Sequence, residues 1–240
     1  MKKYLLLSLL FILNCGFVKA QEGYYLEIKS HYGSVPMEIK SWVQKGEYRV
    51  ETTPTNSGTV TMLGKLNLRD SMYMLDEKHK TYSIIPRDKK NEKMVANAKL
   101  ELIGKDKVDK FNCVHVKIRS KALGVIIDAW VTKDIPFYKE LILPNAEFFG
   151  SPELYKLLKS KNVDGFLAKI IVTDGKSAAI TMELTKAVKS KINPDLFSLA
   201  GYKNSGKSDA KVEAILNAIS NLKPEQQHEI LQRLRETYGE

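Results

Sequence analysis

The fold is decided by a stretch that opens at residues 24–40 with YYLEIKSHYGSVPMEIK and continues to Pro86. Apolar and polar residues alternate in it, and this period of two predicts strands with one buried and one wet face. Gly33-Ser34 separates the first two runs, as a hairpin turn does. Similar runs follow at 48–53, 59–63, 71–76 and 81–86. Because the breaks between runs are short, we expect antiparallel neighbours in a meander.

The same alternation returns further along the chain, interrupted by helical patterns. Residues 151–161 carry leucines at positions 154, 157 and 158, one helical face, after Ser151-Pro152, a typical helix start. Residues 137–143 are also predicted to be helical. Strands are expected at 99–105, 113–120, 125–132, 165–173 and 177–190, the last two joined by the turn Asp174-Gly175. The pattern therefore predicts an α+β fold, in which helices interrupt a long antiparallel sheet.

The first twenty residues have the pattern of an export signal. Lys2 and Lys3 precede a short apolar run, and Val18-Lys19-Ala20 is a small-x-small cleavage site. Cleavage between Ala20 and Gln21 would release an exported protein, periplasmic or extracellular. The alternative is a lipoprotein attached through Cys15, although Asn14 stands where a lipidation motif has a small residue.

Removal of this signal changes both the charge and the cysteine count. The formal charge of +10 falls to +7 when three signal lysines are lost. A positive exported protein would favour anionic membrane surfaces, or simply display a solvated lysine-rich surface. The scattered lysines lack the aromatic and arginine pattern of nucleic-acid binding, so no nucleic acid is expected. Cys113 would be the one remaining cysteine, so an internal disulfide is not expected.

Several short motifs occur in an order that resembles a known family. They are Trp42-Val43-Gln44-Lys45-Gly46, Tyr48-Arg49, Tyr73-Met74-Leu75-Asp76, Phe111-Asn112-Cys113, Ala129-Trp130-Val131, Asn193-Pro194-Asp195-Leu196-Phe197 and Gly201-Tyr202-Lys203. Together they resemble the domain-of-unknown-function family 4412, exported bacterial envelope proteins, over residues 22–203. The resemblance implies a fold similar to the lipoprotein carriers LolA and LolB, a curved antiparallel half-barrel whose concave face is covered by helices. It implies no activity, because the family has none assigned.

The C-terminal part has a different pattern. Residues 204–208 are rich in Gly, Ser, Lys and Asn, which indicates a linker. Apolar stripes at helical spacing follow in 212–222 and 230–238 and predict a helical hairpin. The expected organisation is a signal at 1–20, a half-barrel domain at 21–203 and a linker with paired helices at 204–240.

Two motifs could carry chemistry, and the context argues against both. Residues 201–208 match the phosphate-loop pattern and end in Gly206-Lys207-Ser208, but a phosphate loop follows a buried parallel strand, and none is predicted here. We therefore expect no nucleotide. Cys113 and His115 share a strand face, yet neither a third zinc ligand nor an orienting residue is recognisable. No hydrolase elbow, metalloprotease helix or calcium loop occurs, so we expect no enzyme, no metal and no cofactor.

Two functions remain open from the sequence. The first is a carrier or binder of an apolar ligand, a lipid or an acylated protein, on the concave face of the sheet. Its candidate residues share the apolar phase of their strands: Leu26, Ile28, Met37, Ile39, Met74, Val116 and Ile118. The alternative is a non-enzymatic envelope interaction or structural module whose core is filled by its own helices. Trp42 and Trp130 lie in the polar phase, where each would cover a sheet edge, lie under a helix or stack on a ligand.

Overall fold

The computed structural model describes residues 20–55, 58–65, 71–86, 98–120, 124–142, 152–173 and 178–207. Strand accounts for 67% of this part, so the fold is mostly sheet, with few helices. Residues 1–19 of the predicted signal at 1–20, and residues 208–240, which contain the predicted helical pair, lie outside the described residues.

Six strands form the first half of the chain, and they follow the predicted alternation. They are β1 (Gln21–Tyr32), β2 (Val35–Gln44), β3 (Glu47–Pro54), β4 (Val60–Lys65), β5 (Ser71–Asp76) and β6 (Thr81–Pro86). Each pairs antiparallel with the next, as the short breaks predicted. Gly33 has a φ of 57° in the first turn, a conformation that glycine adopts without strain.

Five further strands return along the other side of β1. They are β7 (Lys99–Val108), β8 (Phe111–Ser120), β9 (Val125–Thr132), β10 (Phe166–Thr173) and β11 (Ala178–Ile192). Helical backbone occupies 138–142. A second helix, α1 (Pro152–Ser160), lies where the leucine spacing predicted it. Within the described ranges, every helix is too short or too polar to traverse a bilayer.

All strands join one large curved open sheet. With the last strand, β12 (Lys203–Lys207), included, its order is β12-β6-β5-β4-β3-β2-β1-β11-β10-β9-β8-β7. The two halves meet where β1 pairs antiparallel with β11 over twelve residue pairs from Gln21–Ile192 to Tyr32–Ile180. Strand β12 pairs parallel with β6 at one edge, and β7 forms the other edge.

This last strand corrects the predicted linker. Residues 204–207 of the linker predicted at 204–208 instead belong to β12, which pairs with β6. The side-chain hydroxyls of Ser205 and Ser83 lie 2.9 Å apart, and Ser205 also donates to the carbonyl of Tyr82 at 2.9 Å. The unpaired edge of β6 supplies these hydrogen-bond partners. Because β6 is distant in the sequence, the polar, glycine-containing composition of residues 204–207 does not predict the pairing.

Within the part of the chain that the structure describes, three clusters of buried residues make up the core. The first is built around β1, β2 and β3 and includes Leu26, Ile28, Ile39, Tyr48 and Leu184. The second lies under α1, where Leu154 and Leu158 pack on β8, β9 and β10. The third lies beneath the segment that leads to β12, described below, and contains Leu63 and Phe197.

The packing of Tyr48 in the first cluster requires a glycine at position 64. Tyr48 and Gly64 are direct cross-strand partners, and Tyr48 is 1% exposed. A Cβ on Gly64 would lie within 3.0 Å of atoms of the Tyr48 ring, closer than real Cβ contacts. The absence of a side chain at position 64 therefore lets the ring lie across β4.

We predict that Gly64→Ala destabilises the domain by about 1–3 kcal/mol, because a buried aromatic ring must move. Urea unfolding of both proteins measures the difference. The matched control is Gly58→Ala, since a Cβ on Gly58 has nothing within 4 Å and should leave stability unchanged or slightly raised. Equal stabilities for the two variants would contradict the packing described here.

Candidate functional site

Cross-strand register shows that the seven candidate residues lie on one face of the sheet. Leu26 faces Ser41, which faces Val50, and the row continues through Met62 to Met74. In the other direction, Ser30 faces Met182, and the row continues through Ile170 and Ala129 to Val116. Direct partners share a face, and so do alternate residues on one strand. We call this surface the apolar face; it is the one predicted to be concave.

Five of the seven candidates are buried in the protein's own core. Their exposures are Leu26 0%, Ile28 6%, Ile39 4%, Val116 0% and Ile118 0%. Leu26, Ile28 and Ile39 belong to the first cluster with Ile135 and Leu141, whereas Val116 and Ile118 belong to the second. Here the chain covers its own apolar face.

Segment 135–141 covers the first of these two parts. Phe137 stacks on Tyr24 of β1, with ring centroids 4.5 Å apart and an interplanar angle of 19°. Tyr138 donates a hydrogen bond to the Asp164 carboxylate at 2.7 Å, which ties the segment to the loop before β10. This bond raises the pKa of Tyr138 and keeps the phenol protonated.

A small cavity lies next to this core. It measures about 20 Å³ and is lined by residues that include Ile28, Tyr155, Phe166 and Met182. The Tyr155 hydroxyl is buried without a hydrogen-bond partner in the described part of the chain, and burial raises the pKa of this phenol. Such a volume holds about one water molecule and no acyl chain.

The other two candidates have a different environment. Met37 and Met74 are only half-buried. Met74 lies directly opposite Met62, which is also half-buried and on the same face. We call Met62 and Met74 the methionine patch; Met37 lies on β2 four residues from Ser41, the β2 member of the row that ends at Met74, so it is not their neighbour. Sequence reasoning missed Met62, although it shares the apolar phase of β4 with Val60. Thioethers adapt their shape to varied apolar partners.

The opposite face carries a network built from the motifs that led to the family resemblance. A segment at 193–203, which we call the strap, runs from the end of β11 to β12. Phe197 of the strap is 2% exposed and packs with Leu63, Leu75 and Ile192. Half-buried neighbours complete this cluster: Trp42, Tyr73, Tyr82, Leu196, Leu199 and Tyr202.

Arg49 is the polar centre of the strap contact. Its guanidinium donates to Glu51 at 3.0 Å, to Glu77 at 2.7 Å and to the Leu196 carbonyl at 3.3 Å. Glu77 also accepts from Tyr202, and from Lys80 at 3.0 Å. Burial alone would raise the pKa of Glu77, but hydrogen bonds from Tyr202, Lys80 and Arg49 outweigh it and lower this pKa to about 2. Because each of these charges has a partner, the network holds the strap in place.

Cys113 and His115 do not form a reactive pair. Cys113 is 4% exposed and its thiol contacts the Phe111 carbonyl at 3.5 Å. Burial raises the pKa of this thiol to about 11, which disfavours the thiolate. His115 instead places Nε2 2.8 Å from Asp128. Among the described residues, no three His, Cys, Asp or Glu side chains are grouped to hold a metal ion.

Both tryptophans are engaged by protein groups. Trp130 stacks on His115, with centroids 4.2 Å apart and planes 4° apart, and its Nε1 donates to Asp106 at 2.7 Å. Lys169, on the neighbouring strand, places Nζ 5.6 Å from the Trp130 ring centroid. Trp42 packs against the third cluster, which contains Phe197 of the strap, and its ring centroid lies 5.4 Å from that of Tyr25. These contacts account for both indoles without a ligand.

The phosphate-loop pattern at 201–208 ends in strand β12, which the structure describes as far as Lys207. Its residues 203–207 form β12, hydrogen-bonded to β6, and its first residues, Gly201 and Tyr202, belong to the strap. Residues 203–207 of the motif therefore form an extended sheet strand and not a loop. That ATP does not bind stays a prediction.

The fold and its two covered faces define a mostly antiparallel, open-sheet domain. The chain belongs to the family described as domain of unknown function DUF4412, whose model matches residues 23–202. This confirms the resemblance drawn from the motifs. No curated protein matches the chain.

Solved structures show likeness of fold at low sequence identity. An uncharacterized conserved protein from Thermus thermophilus matches with a TM-score of 0.50 and 9% identity, over 83% of this chain and 99% of that one. The structure of PNGF-II matches with a TM-score of 0.46 and 11% identity over 82% of this chain, which spans only 33% of that protein. A chain of the MucA/MucB complex from Pseudomonas aeruginosa matches with a TM-score of 0.45 and 10% identity, over 77% of this chain and 58% of that one.

Proposed function

We propose that this domain is a non-catalytic binding protein of the cell envelope that holds an acyl-chain amphiphile on the methionine patch. The observation that carries the proposal is the contrast within one face of the sheet. Five of the predicted ligand residues are 0–6% exposed, whereas the methionine patch is half-buried. An apolar face that its own core does not fully bury is where a ligand of apolar chemistry gains most.

Charge and the chemistry of methionine define the class of ligand. Each methylene buried is worth about 0.8 kcal/mol, so a patch of a few side chains can retain an acyl chain. Without the three signal lysines the exported protein keeps a formal charge of +7, which favours an anionic head group. The ligand class proposed here is therefore a fatty acid or a similar anionic single-chain lipid. The envelope location rests on the predicted export signal at residues 1–20.

A second candidate has its own supporting observation. The burial of Leu26, Ile28, Ile39, Val116 and Ile118 by the chain itself, together with a cavity of only about 20 Å³, favours an interaction module with a self-filled core. The two candidates differ in one measurable respect: only the first binds an amphiphile.

We predict that the exported protein, purified without detergent, binds a fluorescent fatty acid saturably. Met62→Glu and Met74→Glu should each weaken binding at least tenfold, since a carboxylate would replace apolar contact and repel the head group. The matched control is Val188→Glu, at an apolar residue that is 37% exposed on β11 and pairs with Tyr25 on the opposite face. Absence of binding by folded wild-type protein would exclude the amphiphile and leave the self-filled module.

A further inference from the structure

The polarity of the apolar face changes steadily from the core, through the methionine patch, to the edge formed by β6 and β12. The row that leads from Val50 through Met62 to Met74 continues to Ser83, whose hydroxyl contacts that of Ser205 on β12. Val50 is 1% exposed, both methionines and Ser83 are half-buried, and Ser205 is exposed. Since adjacent strands are about 4.8 Å apart, Met62 and Ser205 are separated by about 14 Å.

This gradient would give a bound amphiphile a single orientation. An acyl chain gains from contact with Met62 and Met74. A charged head group would lose its hydration next to the buried Val50 but keeps it at the open edge beside Ser205. A few polar groups at one end of an apolar site fix the orientation of a ligand in this way. The head group would therefore lie at the edge formed by β6 and β12.

The two serine hydroxyls at this edge have no proton left to donate to an anion. A serine hydroxyl has one proton, and Ser205 donates it to the Tyr82 carbonyl at 2.9 Å. Ser83 is then the donor in the 2.9 Å contact between the two hydroxyls. Both protons are used to hold β12 against β6, so an anionic head group needs a different donor.

Lys203 is positioned to be that donor. It is exposed at the start of β12 and is the parallel partner of Thr81, which shares a face with Ser83 two residues along β6. The preceding Tyr202 bonds Glu77 on the opposite face, as alternation along an extended chain requires. None of the ion pairs in the described part of the chain involves Lys203. A lysine stem can lie along apolar surface while its ammonium stays in water.

A neighbouring carboxylate on the same face is already engaged. Asp76 is the β5 partner of Thr81, so Thr81 lies between Asp76 and Lys203. One oxygen of Asp76 accepts from the main-chain N–H groups of Lys78 and His79 at 3.0 and 2.9 Å, and the other lies 2.7 Å from Nδ1 of His79. Since both oxygens have partners within their own turn, the Lys203 ammonium remains available to a ligand.

We propose that Lys203 binds the carboxylate of a fatty acid whose chain lies on Met62 and Met74. This role rests on the proposed function and adds the residue that selects an anionic over a neutral head group. A hydrogen bond between two charged groups is roughly twice as strong as a neutral one. The motif at 201–203 then acts on both faces of the sheet, because Tyr202 fixes the strap on one and Lys203 contacts the ligand on the other.

Titration of two ligands into the exported protein, purified without detergent, tests this contact. The ligands are a fluorescent fatty acid and the fatty alcohol with the same labelled chain. We expect Lys203→Met to weaken binding of the acid by about tenfold and to leave binding of the alcohol unchanged, because only the acid loses a charge-assisted bond. Lys203→Arg keeps the charge and should keep most of the affinity for the acid.

The matched control is Lys29→Met, at an exposed lysine of β1 on the opposite face. It removes the same net charge and should leave both affinities unchanged. Circular dichroism confirms that each variant is folded.

The outcomes separate the head-group contact from the proposed function. If wild type binds both ligands and Lys203→Met weakens neither, or weakens both equally, the contact is wrong although the amphiphile site stands. If Lys29→Met weakens binding of the acid as much as Lys203→Met does, net charge attracts the ligand and the contact is again wrong. If wild type binds neither ligand, the proposed function fails and the head-group contact fails with it.

Discussion

Ile39→Glu should abolish cooperative folding of the domain at neutral pH. Ile39 is 4% exposed and lies directly opposite Ile28 in the first cluster. An unpaired carboxylate at this position loses its hydration without gaining a partner, a cost of several kcal/mol. Since whole domains are stable by only about 5–15 kcal/mol, this cost removes most of the stability. Thermal unfolding followed by circular dichroism measures the effect.

The control for this substitution is Met74→Glu, on the same face but half-buried. A carboxylate at Met74 keeps access to water, so we expect a cooperative transition and a loss of about 1–2 kcal/mol. If Ile39→Glu instead unfolds at the wild-type temperature, Ile39 does not belong to the core. The pair of variants therefore separates residues that hold the fold together from residues available to a ligand.

Arg49→Ala should cost about 2–3 kcal/mol of unfolding free energy and release the strap. The substitution leaves Glu51, Glu77 and the Leu196 carbonyl without their shared donor, and removing one partner of a buried ion pair is strongly destabilising. We place the cost below that of a fully buried pair because the Glu77 side chain is 40% exposed. Urea unfolding gives the value.

An exposed ion pair provides the comparison. Lys186 bonds Glu27 at 3.1 Å, and both side chains are more than a third exposed. Lys186→Ala should therefore cost less than about 1 kcal/mol. If both variants lose the same stability, Arg49 does not anchor the strap.

The same network predicts a pH dependence with a defined sign. The pKa of Glu77 is lowered from 4.5 to about 2, so its ionised form is stabilised by folding. Its contribution is fully present above pH 4.5 and is lost as the pH falls toward 2. The difference in stability between wild type and Glu77→Gln should accordingly shrink across this interval. A constant difference would mean that the charge of Glu77 is irrelevant to the strap.

Local patterns in the sequence were sufficient for the strands and for α1. Alternation at Val35, Met37 and Ile39 predicted β2, and the leucine spacing after Pro152 predicted the helix that covers β8. Both patterns are set by which side of a single element faces the core, so no distant partner is needed to recognise them.

The strap and β12 depend instead on contacts between residues far apart in the chain. Arg49 bonds the Leu196 carbonyl across 147 residues, and Tyr202 bonds Glu77 across 125. Neither contact produces a periodic pattern in the sequence, although Arg49 and Tyr202 each belong to a recognisable motif. Likewise, sequence alone placed Leu26 and Met74 on one apolar face but could not show that segment 135–141 buries only the first.

The proposed function requires that the methionine patch holds an amphiphile while the rest of the apolar face is core. The most direct test is intact mass spectrometry, under non-denaturing conditions, of the protein purified without detergent from its own cell envelope. We expect the added mass of an acyl-chain lipid on wild type and on Val188→Glu, and none on a folded Met62→Glu, Met74→Glu double variant. Wild-type protein that carries no added mass, or an added mass that persists in the double variant, would contradict it.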